Sequence, residues 1–294
     1  MKLYTPQTIN EIKKKYDFSL SKSLGQNFLT DKGIIDEIIE AAEIGEDSLV
    51  IEIGPGIGVL TAEAAALAGK VVAVEIDKNL IPILSETLAE FSNVKVVNKD
   101  ILKTDLGEII REAKAEAEAD GKELKDVKIL GNLPYYITTP IIMKILEDGI
   151  PAESITIMMQ KEVADRIKSG PGKKTYGALS VAVQYYCEVS SVVNVPRSVF
   201  VPPPNVDSAV LKLKIREEKP VSLISEKMFF ETVKGGFGQR RKTLGNSLAG
   251  VLRMEKQDAV DALNAAGIDP GRRAETLDIN EFAALANELA KSRG

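Results

Sequence analysis

Short runs of β-branched and other apolar residues alternate with amphipathic stretches in the N-terminal part of this chain. The runs lie at 48–54, 70–77, 94–100, 127–135 and 154–161, and the stretches at 59–69, 79–91 and 138–149 carry apolar residues every three or four positions. This alternation predicts an α/β fold of βαβ units, with a mainly parallel sheet covered by helices on both faces. A later run at 208–215 alternates apolar and polar residues, which predicts a strand with one face in water.

The chain changes character after Arg216. The sequence EEKP that follows predicts a linker, and residues 221–294 contain no strand-like run, only amphipathic segments separated by GGFGQ and AGIDPG. We therefore predict an α/β domain at 1–216, which includes a basic N-terminal segment at 1–32. A small all-helical domain is predicted at 217–294.

The composition excludes several kinds of chemistry. The 294 residues include no histidine and one cysteine, Cys187, which rules out a Ser-His-Asp triad, a histidine-containing metal site and an intrachain disulfide. We predict no metal. No apolar run has the length that a bilayer requires, and the N terminus lacks the pattern of a signal peptide. The sequence therefore predicts a cytoplasmic protein with no membrane partner.

A glycine-rich turn follows the first predicted strand. Gly54, Gly56 and Gly58 permit a tight turn and a close approach of the main chain to a ligand, so Gly54 and Gly56 are predicted cofactor contacts. Such loops also occur as plain strand-to-helix connections. Glu75 ends the second predicted strand and Asp100 the third, where carboxylates accept hydrogen bonds from a ribose diol and an adenine amino group. This pattern predicts a nucleoside-containing cofactor and fits both NAD and S-adenosylmethionine.

The fourth predicted strand ends in Asn132-Leu133-Pro134-Tyr135, which we predict to be catalytic. The Asn132 amide oxygen and the main-chain carbonyl of Leu133 or Pro134 can accept the hydrogens of an exocyclic adenine amine, which favours a pyramidal, nucleophilic nitrogen. An alkylated amine loses its proton to solvent, so no histidine base is needed. Tyr135 offers a face on which the base stacks. The motif is also an ordinary β-turn sequence. After a strand and the glycine-rich turn, it favours methyl transfer from S-adenosylmethionine over hydride transfer with NAD.

These motifs resemble those of the ribosomal RNA adenine N6,N6-dimethyltransferases of the KsgA/RsmA type. The resemblance covers most of the chain, through SLGQNFL (23–29), IEIGPGIGVLT (51–61), NLPYYITTPI (132–141), MMQKEVADR (158–166), YGALSVAVQY (176–185), VFVPPPNVDSAV (199–210) and FGQRRKTL (237–244). It implies a Rossmann-like, class I S-adenosylmethionine-dependent methyltransferase sheet. It also implies that Phe200 faces the target base opposite Tyr135, and that the cofactor is held by Asn27, Leu29, Gly54, Glu75, Asp100 and Asn132.

The net charge of −5, taken alone, argues against a nucleic acid partner, but the charge is unevenly distributed. Basic residues outnumber acidic ones at 1–32, 161–174 and 227–242. Although charged runs are commonly just solvated faces, three such clusters indicate phosphate contacts. The predicted RNA-binding residues are Lys173, Lys174, Arg240, Arg241 and Lys242.

By resemblance, the predicted function is dimethylation of two adjacent adenosines in a hairpin loop near the 3′ end of 16S ribosomal RNA. The predicted partner is the immature 30S subunit, bound by a monomer of this chain. Three alternatives stay open: a 23S ribosomal RNA adenine methyltransferase of the macrolide-resistance type, a DNA adenine methyltransferase, and a non-enzymatic small-subunit assembly factor. A DNA methyltransferase would need a sequence-reading domain, which residues 221–294 do not indicate.

Overall fold

The structure is a computed structural model that describes residues 2–18, 25–239 and 241–293. Its strands are β1 (Phe28–Leu29), β2 (Ser48–Ile53), β3 (Lys70–Glu75), β4 (Val94–Asn98), β5 (Asp126–Asn132), β6 (Ser154–Gln160), β7 (Cys187–Val195), β8 (Phe200–Val201) and β9 (Ser208–Ile215). Its helices are α1 (Pro6–Lys15), α2 (Lys32–Ala42), α3 (Val59–Ala65), α4 (Ile81–Thr87), α5 (Leu106–Ala119), α6 (Thr138–Glu147), α7 (Lys161–Ile167), α8 (Ala178–Tyr186), α9 (Glu226–Phe237), α10 (Leu244–Leu252), α11 (Lys256–Ala265) and α12 (Ile279–Arg293). Within these ranges, no helix combines the length and apolar character that crossing a bilayer requires.

Seven strands form one sheet in the order β4-β3-β2-β5-β6-β9-β7. The strands from β2 to β6 pair in parallel, and helices connect them, so the predicted α/β fold is confirmed. β9, the strand predicted at 208–215, pairs with β6 in the antiparallel direction. The sequence pattern did not indicate the edge strand β7, nor the antiparallel ribbon of β1 and β8.

The central strands are apolar along nearly their whole length because both faces of the sheet are covered. All six residues of β2 are buried, as are five of the six in β3. Helix α2 packs against β6 and β9, and α5 packs against β2 and β3. Continuous apolar strands of this kind are typical of parallel sheets in α/β folds.

The order of the strands reverses between β2 and β5. From β2 the chain proceeds outward through β3 to β4, and it then returns to the opposite side of β2 to form β5 and β6. Connections that leave a parallel sheet in opposite directions open a crevice outside the carboxyl ends of the strands. The fold therefore predicts a ligand site beyond the last residues of β2 and β5.

The chain divides into two compact units, Met1–Ala164 with Ser190–Ile215, and Asp165–Val189 with Arg216–Gly294. The second unit includes α8, which the predicted division at 216 places in the first domain. In this unit the Tyr176 hydroxyl donates to the Leu277 carbonyl at 2.9 Å, and the Gly172 N–H donates to the Glu275 carbonyl at 2.8 Å. These contacts join positions about a hundred residues apart, so no local sequence pattern predicts them.

Helix α9 runs without a break through Gly235 and Gly236. The expectation that GGFGQ separates two helical segments was therefore wrong at these two positions. Helix α10 lies so close that a Cβ at Gly235 would come within 3.1 Å of Leu252 Cγ, and the Ser247 hydroxyl donates to the Gly235 carbonyl at 2.7 Å. The glycines permit this close packing of the two helices, which offsets their low helix propensity.

We expect Phe229→Ala to lower the free energy of unfolding by about 3–5 kcal/mol, because it leaves a cavity in the second unit. Phe229 is fully buried, with its ring centroid 5.1 Å from that of Tyr185 and 5.2 Å from that of Phe230. Ile224→Ala is the control in the same unit, since Ile224 is 60% exposed, and it should change stability by less than about 0.5 kcal/mol. Urea denaturation measures both; equal losses would contradict the assigned core.

Candidate functional site

A cavity of about 290 Å³ lies where the first unit's strands β2, β3, β4 and β5 end at their carboxyl edge. Five segments that are distant in sequence contribute to its lining, together with Phe200 of β8. The lining includes every residue that was predicted to bind a cofactor or to take part in catalysis: Asn27, Leu29, Gly54, Gly56, Glu75, Asp100, Asn132, Leu133, Pro134, Tyr135 and Phe200. The structure thus brings these side chains together at one place, and their individual roles stay predictions.

The glycine-rich turn gives the cavity a main-chain wall. Gly54, Gly56 and Gly58 have φ angles of +69°, +60° and +89°, in the left-handed region that favours glycine. A Cβ at Gly56 would lie 3.0 Å from Cε1 of Phe28, which is closer than packing allows. The chain therefore turns sharply from β2 into α3 without side chains that would fill the cavity.

Glu75 ends β3, as predicted, and is 4% exposed. Burial raises the pKa of Glu75 to about 7, and main-chain N–H groups, led by that of Asp77, oppose this rise. The Asp77 N–H donates to Glu75 Oε1 at 2.7 Å. A carboxylate held in this way by main-chain donors is a fixed acceptor for the hydroxyl groups of a ligand.

Asp100 lines the cavity, but it does not end a strand. Pairing of β4 with β3 stops at Asn98, opposite Glu75, and Asp100 instead caps a short 3₁₀ turn by accepting the Leu102 N–H at 3.0 Å. The sequence predicted that this strand ends at Asp100, which was therefore wrong by two residues. Asp100 still lines the cavity, because the turn that it caps forms part of the same edge.

Glu52 is a site residue to which sequence reasoning gave no role. It lies in β2, is 1% exposed, lines the cavity and accepts a hydrogen bond from the Thr61 hydroxyl at 2.5 Å. Burial raises the pKa of Glu52 to about 7; Thr61 opposes the rise, and the charge of Glu75 adds to it. A glutamate inside the apolar run of β2 was the available signal, since a glutamate is rarely fully buried unless it is paired, and buried carboxyls with shifted pKa values cluster at functional sites.

The amide of Asn132 is oriented by the N-terminal segment. Asn132 Nδ2 donates to the main-chain carbonyl of Asn27 at 3.2 Å, across 105 positions of sequence. Asn27 is itself held, because its Nδ2 donates to the Gly25 carbonyl at 3.0 Å. One hydrogen of the Asn132 amide nitrogen is therefore engaged, and the amide oxygen receives no hydrogen bond from any described residue.

The structure distinguishes the two carbonyls that the sequence left open as acceptors. The Pro134 carbonyl accepts the Ile137 N–H at 3.1 Å and the Thr138 hydroxyl at 3.1 Å, which uses both of its lone pairs. In the described part of the chain, no donor reaches the carbonyl of Leu133. Leu133 therefore offers the second acceptor, beside the Asn132 amide oxygen.

The aromatic residues Tyr135 and Phe200, both predicted to contact the target base, line the cavity with these acceptors. The Tyr135 hydroxyl shares a hydrogen bond with Ser208 Oγ at 2.7 Å, which fixes the position of the ring. Burial raises the pKa of Tyr135, so its phenol stays protonated at neutral pH. Phe200 is 3% exposed and pairs through its main chain with Leu29 in the β1–β8 ribbon.

The predicted RNA contacts belong to the second unit, where the exposed ones are Lys173, Lys174, Arg241 and Lys242, and Arg240 lies outside the described residues. Both basic loops are attached to residues 270–277 of that unit. The Gly172 N–H donates to the Glu275 carbonyl at 2.8 Å, and the Leu244 N–H donates to the Arg272 carbonyl at 2.7 Å. The next residue, Arg273, is exposed on the same segment and was not singled out from the sequence.

The chain is similar to proteins of one kind along nearly its whole length. A family model described as ribosomal RNA adenine dimethylase matches residues 17–291. The ribosomal RNA small subunit methyltransferase A of Alkaliphilus metalliredigens is 51% identical, over 98% of each chain. That of Clostridioides difficile is also 51% identical, over 97% of this chain and 96% of its own.

Two solved structures share this similarity. A dimethyladenosine transferase from Plasmodium falciparum has a TM-score of 0.74 and 28% identity, over 90% of this chain and 98% of its own. The 23S rRNA methyltransferase ErmE has a TM-score of 0.66 and 28% identity, over 90% of this chain and 99% of its own. Both likenesses extend over the α/β sheet and the C-terminal helical region.

We expect Glu52→Gln to change the pH dependence of stability. Because the pKa of Glu52 is raised from 4.5 to about 7 in the folded chain, the stabilisation linked to its proton is complete below 4.5 and is lost as the pH rises toward 7. Glutamine has no proton to lose. The free energy of unfolding of the variant, relative to the unmodified chain, should therefore rise by about 1–3 kcal/mol between pH 5 and pH 8.

Denaturant titrations at the two pH values measure this difference. Glu37→Gln, at an exposed position of α2, is the matched control for the loss of one carboxylate. A difference between Glu52→Gln and the unmodified chain that stays constant with pH would contradict the raised pKa of Glu52 in the folded chain.

Proposed function

Because this chain belongs to the ribosomal RNA adenine dimethylase family, we propose that it transfers methyl groups from S-adenosylmethionine to N6 of two adjacent adenosines in small-subunit ribosomal RNA. These adenosines lie in the hairpin loop near the 3′ end of 16S RNA, and their modification is part of ribosome biogenesis. The proposed partner is the immature 30S subunit, which a monomer of the chain binds in the cytoplasm. Relatives that carry the name ribosomal RNA small subunit methyltransferase A support this assignment.

The observation that carries the proposal is the orientation of the Asn132 amide. Its nitrogen is oriented by the Asn27 carbonyl, and its oxygen is an acceptor that no described residue uses. Leu133 adds a second acceptor from the adjacent main chain. Two neutral acceptors side by side match an aromatic NH₂ group, which has two hydrogens to donate.

The residues of the cavity fit S-adenosylmethionine, which supplies a methyl group on a sulfonium when it is bound. The buried carboxylate of Glu75 is a ribose acceptor, and Asp100 accepts from the adenine amino group. Ile76, which directly follows Glu75, and Leu102, two residues after Asp100, are 52% and 38% exposed and line the same cavity. Apolar side chains exposed beside nucleoside acceptors provide surfaces for a flat, partly apolar ring system.

Hydrogen bonds from the adenine amine to Asn132 Oδ1 and the Leu133 carbonyl make its nitrogen more nucleophilic. The amine's lone pair is normally delocalised into the adenine ring, and a pyramidal nitrogen has this pair available for attack. Tyr135, held by Ser208, provides a face for the base, and Phe200 provides a second aromatic surface in the same cavity. The second transfer requires that the cavity accept an amine that already carries one methyl group.

No side chain of the site is needed as a general base. The chain contains no histidine, and burial raises the pKa of Tyr135, which keeps that phenol protonated. The nitrogen becomes strongly acidic once it is alkylated, so its proton passes to water. A chain without histidine is thus compatible with the proposed reaction.

The exposed basic residues of the second unit are the proposed phosphate contacts. Lys173, Lys174, Arg241 and Lys242 lie on loops attached to one segment, 270–277. Basic side chains on adjoining loops neutralise several phosphates of a folded RNA. We add Arg273 to this set, since it is exposed on the segment that the two loops share.

One alternative has support from a solved structure. The likeness to ErmE, at a TM-score of 0.66 and 28% identity, favours a 23S ribosomal RNA methyltransferase. The small-subunit methyltransferases are 51% identical to this chain over nearly its full length, which favours 16S RNA. Mapping the methylated nucleotides in both RNAs separates the two: modification of 23S RNA alone would overturn the proposed substrate.

We expect Asn132→Ala to lower the rate of methyl transfer by about 100-fold or more, because the amine loses an oriented acceptor. Binding of S-adenosylmethionine, measured by calorimetry, should change much less, since Glu75, Asp100 and the glycine-rich turn stay in place. Asn79→Ala, an exposed asparagine outside the cavity lining, should behave like the unmodified chain. Near-normal transfer by Asn132→Ala would rule out the assigned mechanism.

We expect the double variant Arg241→Ala/Lys242→Ala to bind ribosomal RNA more weakly and with a shallower salt dependence. Each lost phosphate contact should reduce the slope of log K against log salt concentration by about one. Filter binding over a range of salt concentrations measures this slope. Lys256→Ala, at an exposed position of α11, is the control. A slope unchanged in the double variant would exclude these two residues as phosphate contacts.

A further inference from the structure

Three of the six large apolar side chains that are exposed within residues 2–18, 25–239 and 241–293 line the cavity. They are Ile76, Leu102 and Tyr136, which is 60% exposed. Exposed apolar surface that concentrates at one cavity indicates binding. Ile76 and Leu102 lie within two residues of the two proposed nucleoside acceptors, so the proposed cofactor accounts for them. It does not account for Tyr136, which follows the catalytic motif.

Tyr136 is held differently from Tyr135. The Tyr135 hydroxyl is fixed by Ser208 at 2.7 Å and its ring is partly buried. The Tyr136 hydroxyl has no hydrogen-bond partner in the described ranges, and a Cβ at Gly25 would lie 3.8 Å from Tyr136 Cε1. Because Gly25 has no side chain, this residue itself does not cover the ring.

A main-chain hydrogen bond fixes the turn that carries Tyr136. Tyr136 lies in the turn that the Ile137 N–H closes by donating to the Pro134 carbonyl at 3.1 Å, immediately before α6. The ring is therefore placed at the opening of the cavity, one residue beyond Tyr135. Aromatic side chains in such positions are the surfaces on which bases of single-stranded nucleic acids stack.

We propose that Tyr136 stacks on the nucleotide next to the adenosine that is being methylated. This inference rests on the function proposed above, in which a single-stranded loop with two adjacent adenosines reaches Asn132. Since Tyr135 and Tyr136 are consecutive, a base at Tyr136 belongs to a nucleotide adjacent to the base at Tyr135. One adenosine of the pair is thereby held at the opening while the other reacts.

The test compares Tyr136→Ala and Tyr136→Phe in steady-state methylation of unmethylated small ribosomal subunits. Tyr136→Ala should raise KM for the subunits about five- to a hundredfold, the range expected for one lost base–aromatic stack. Its kcat and its calorimetric affinity for S-adenosylmethionine should stay unchanged. Tyr136→Phe keeps the ring and should stay within about twofold of the unmodified chain. Leu67→Ala, which removes a 45%-exposed apolar side chain outside the cavity lining, is the control.

Two results would overturn the stacking role while leaving the proposed function intact. The first is an unchanged KM in Tyr136→Ala. The second is a loss in Tyr136→Phe as large as that in Tyr136→Ala, which would assign the effect to the hydroxyl. If the unmodified chain forms no dimethyladenosine in the subunits, the proposed function itself fails. Thermal unfolding midpoints of all the variants show whether each is folded, and the exposure of Tyr136 predicts little change.

Discussion

The site depends on the reversal of strand order between β2 and β5. Because the chain leaves β2 first toward β3 and β4 and later returns on its other side, the carboxyl ends of β2 and β5 lie next to each other at the point where their connections diverge. The glycine-rich turn follows one of these strands and the Asn132 motif follows the other. The residues predicted to bind the nucleoside and the amine therefore line one cavity, although they are far apart in sequence.

This arrangement requires polar groups to be buried at the end of an apolar sheet. Glu52 and Glu75 lie on neighbouring strands, and burial raises the pKa of each to about 7. Hydrogen bonds within the protein partly offset the cost of burying each carboxyl. Glu52 accepts one from the Thr61 hydroxyl, and Glu75 accepts from main-chain N–H groups. A site that held a cationic cofactor would favour the charged forms of both carboxyls. The loss of stability toward neutral pH is thus linked to two carboxyl groups that line the cavity.

The sequence predicted those features that depend on local pattern. The β-branched runs became the strands β2 to β6, and Glu75 and Asn132 end strands as expected. Parallel strands present their carboxyl ends at one edge of the sheet, so these two residues lie at the same edge. Features that depend on distant contacts were missed. The Gly235-Gly236 pair lies inside a helix because α10 packs closely against it, and α8 groups with the C-terminal helices through hydrogen bonds of Tyr185 and Tyr186 to Glu226, about forty positions away. Likewise, only the three-dimensional hydrogen bonds distinguish the Leu133 carbonyl from that of Pro134.

The central claim is that this protein dimethylates adenosine N6 of small-subunit ribosomal RNA in this cavity. Its most direct test is incubation of the chain with isotope-labelled S-adenosylmethionine and unmethylated small ribosomal subunits, followed by nucleoside analysis and mapping of the label. The account predicts N6,N6-dimethyladenosine at two adjacent positions in the hairpin loop near the 3′ end of 16S RNA. Label that never appears as dimethyladenosine, or that maps to other positions, would contradict it.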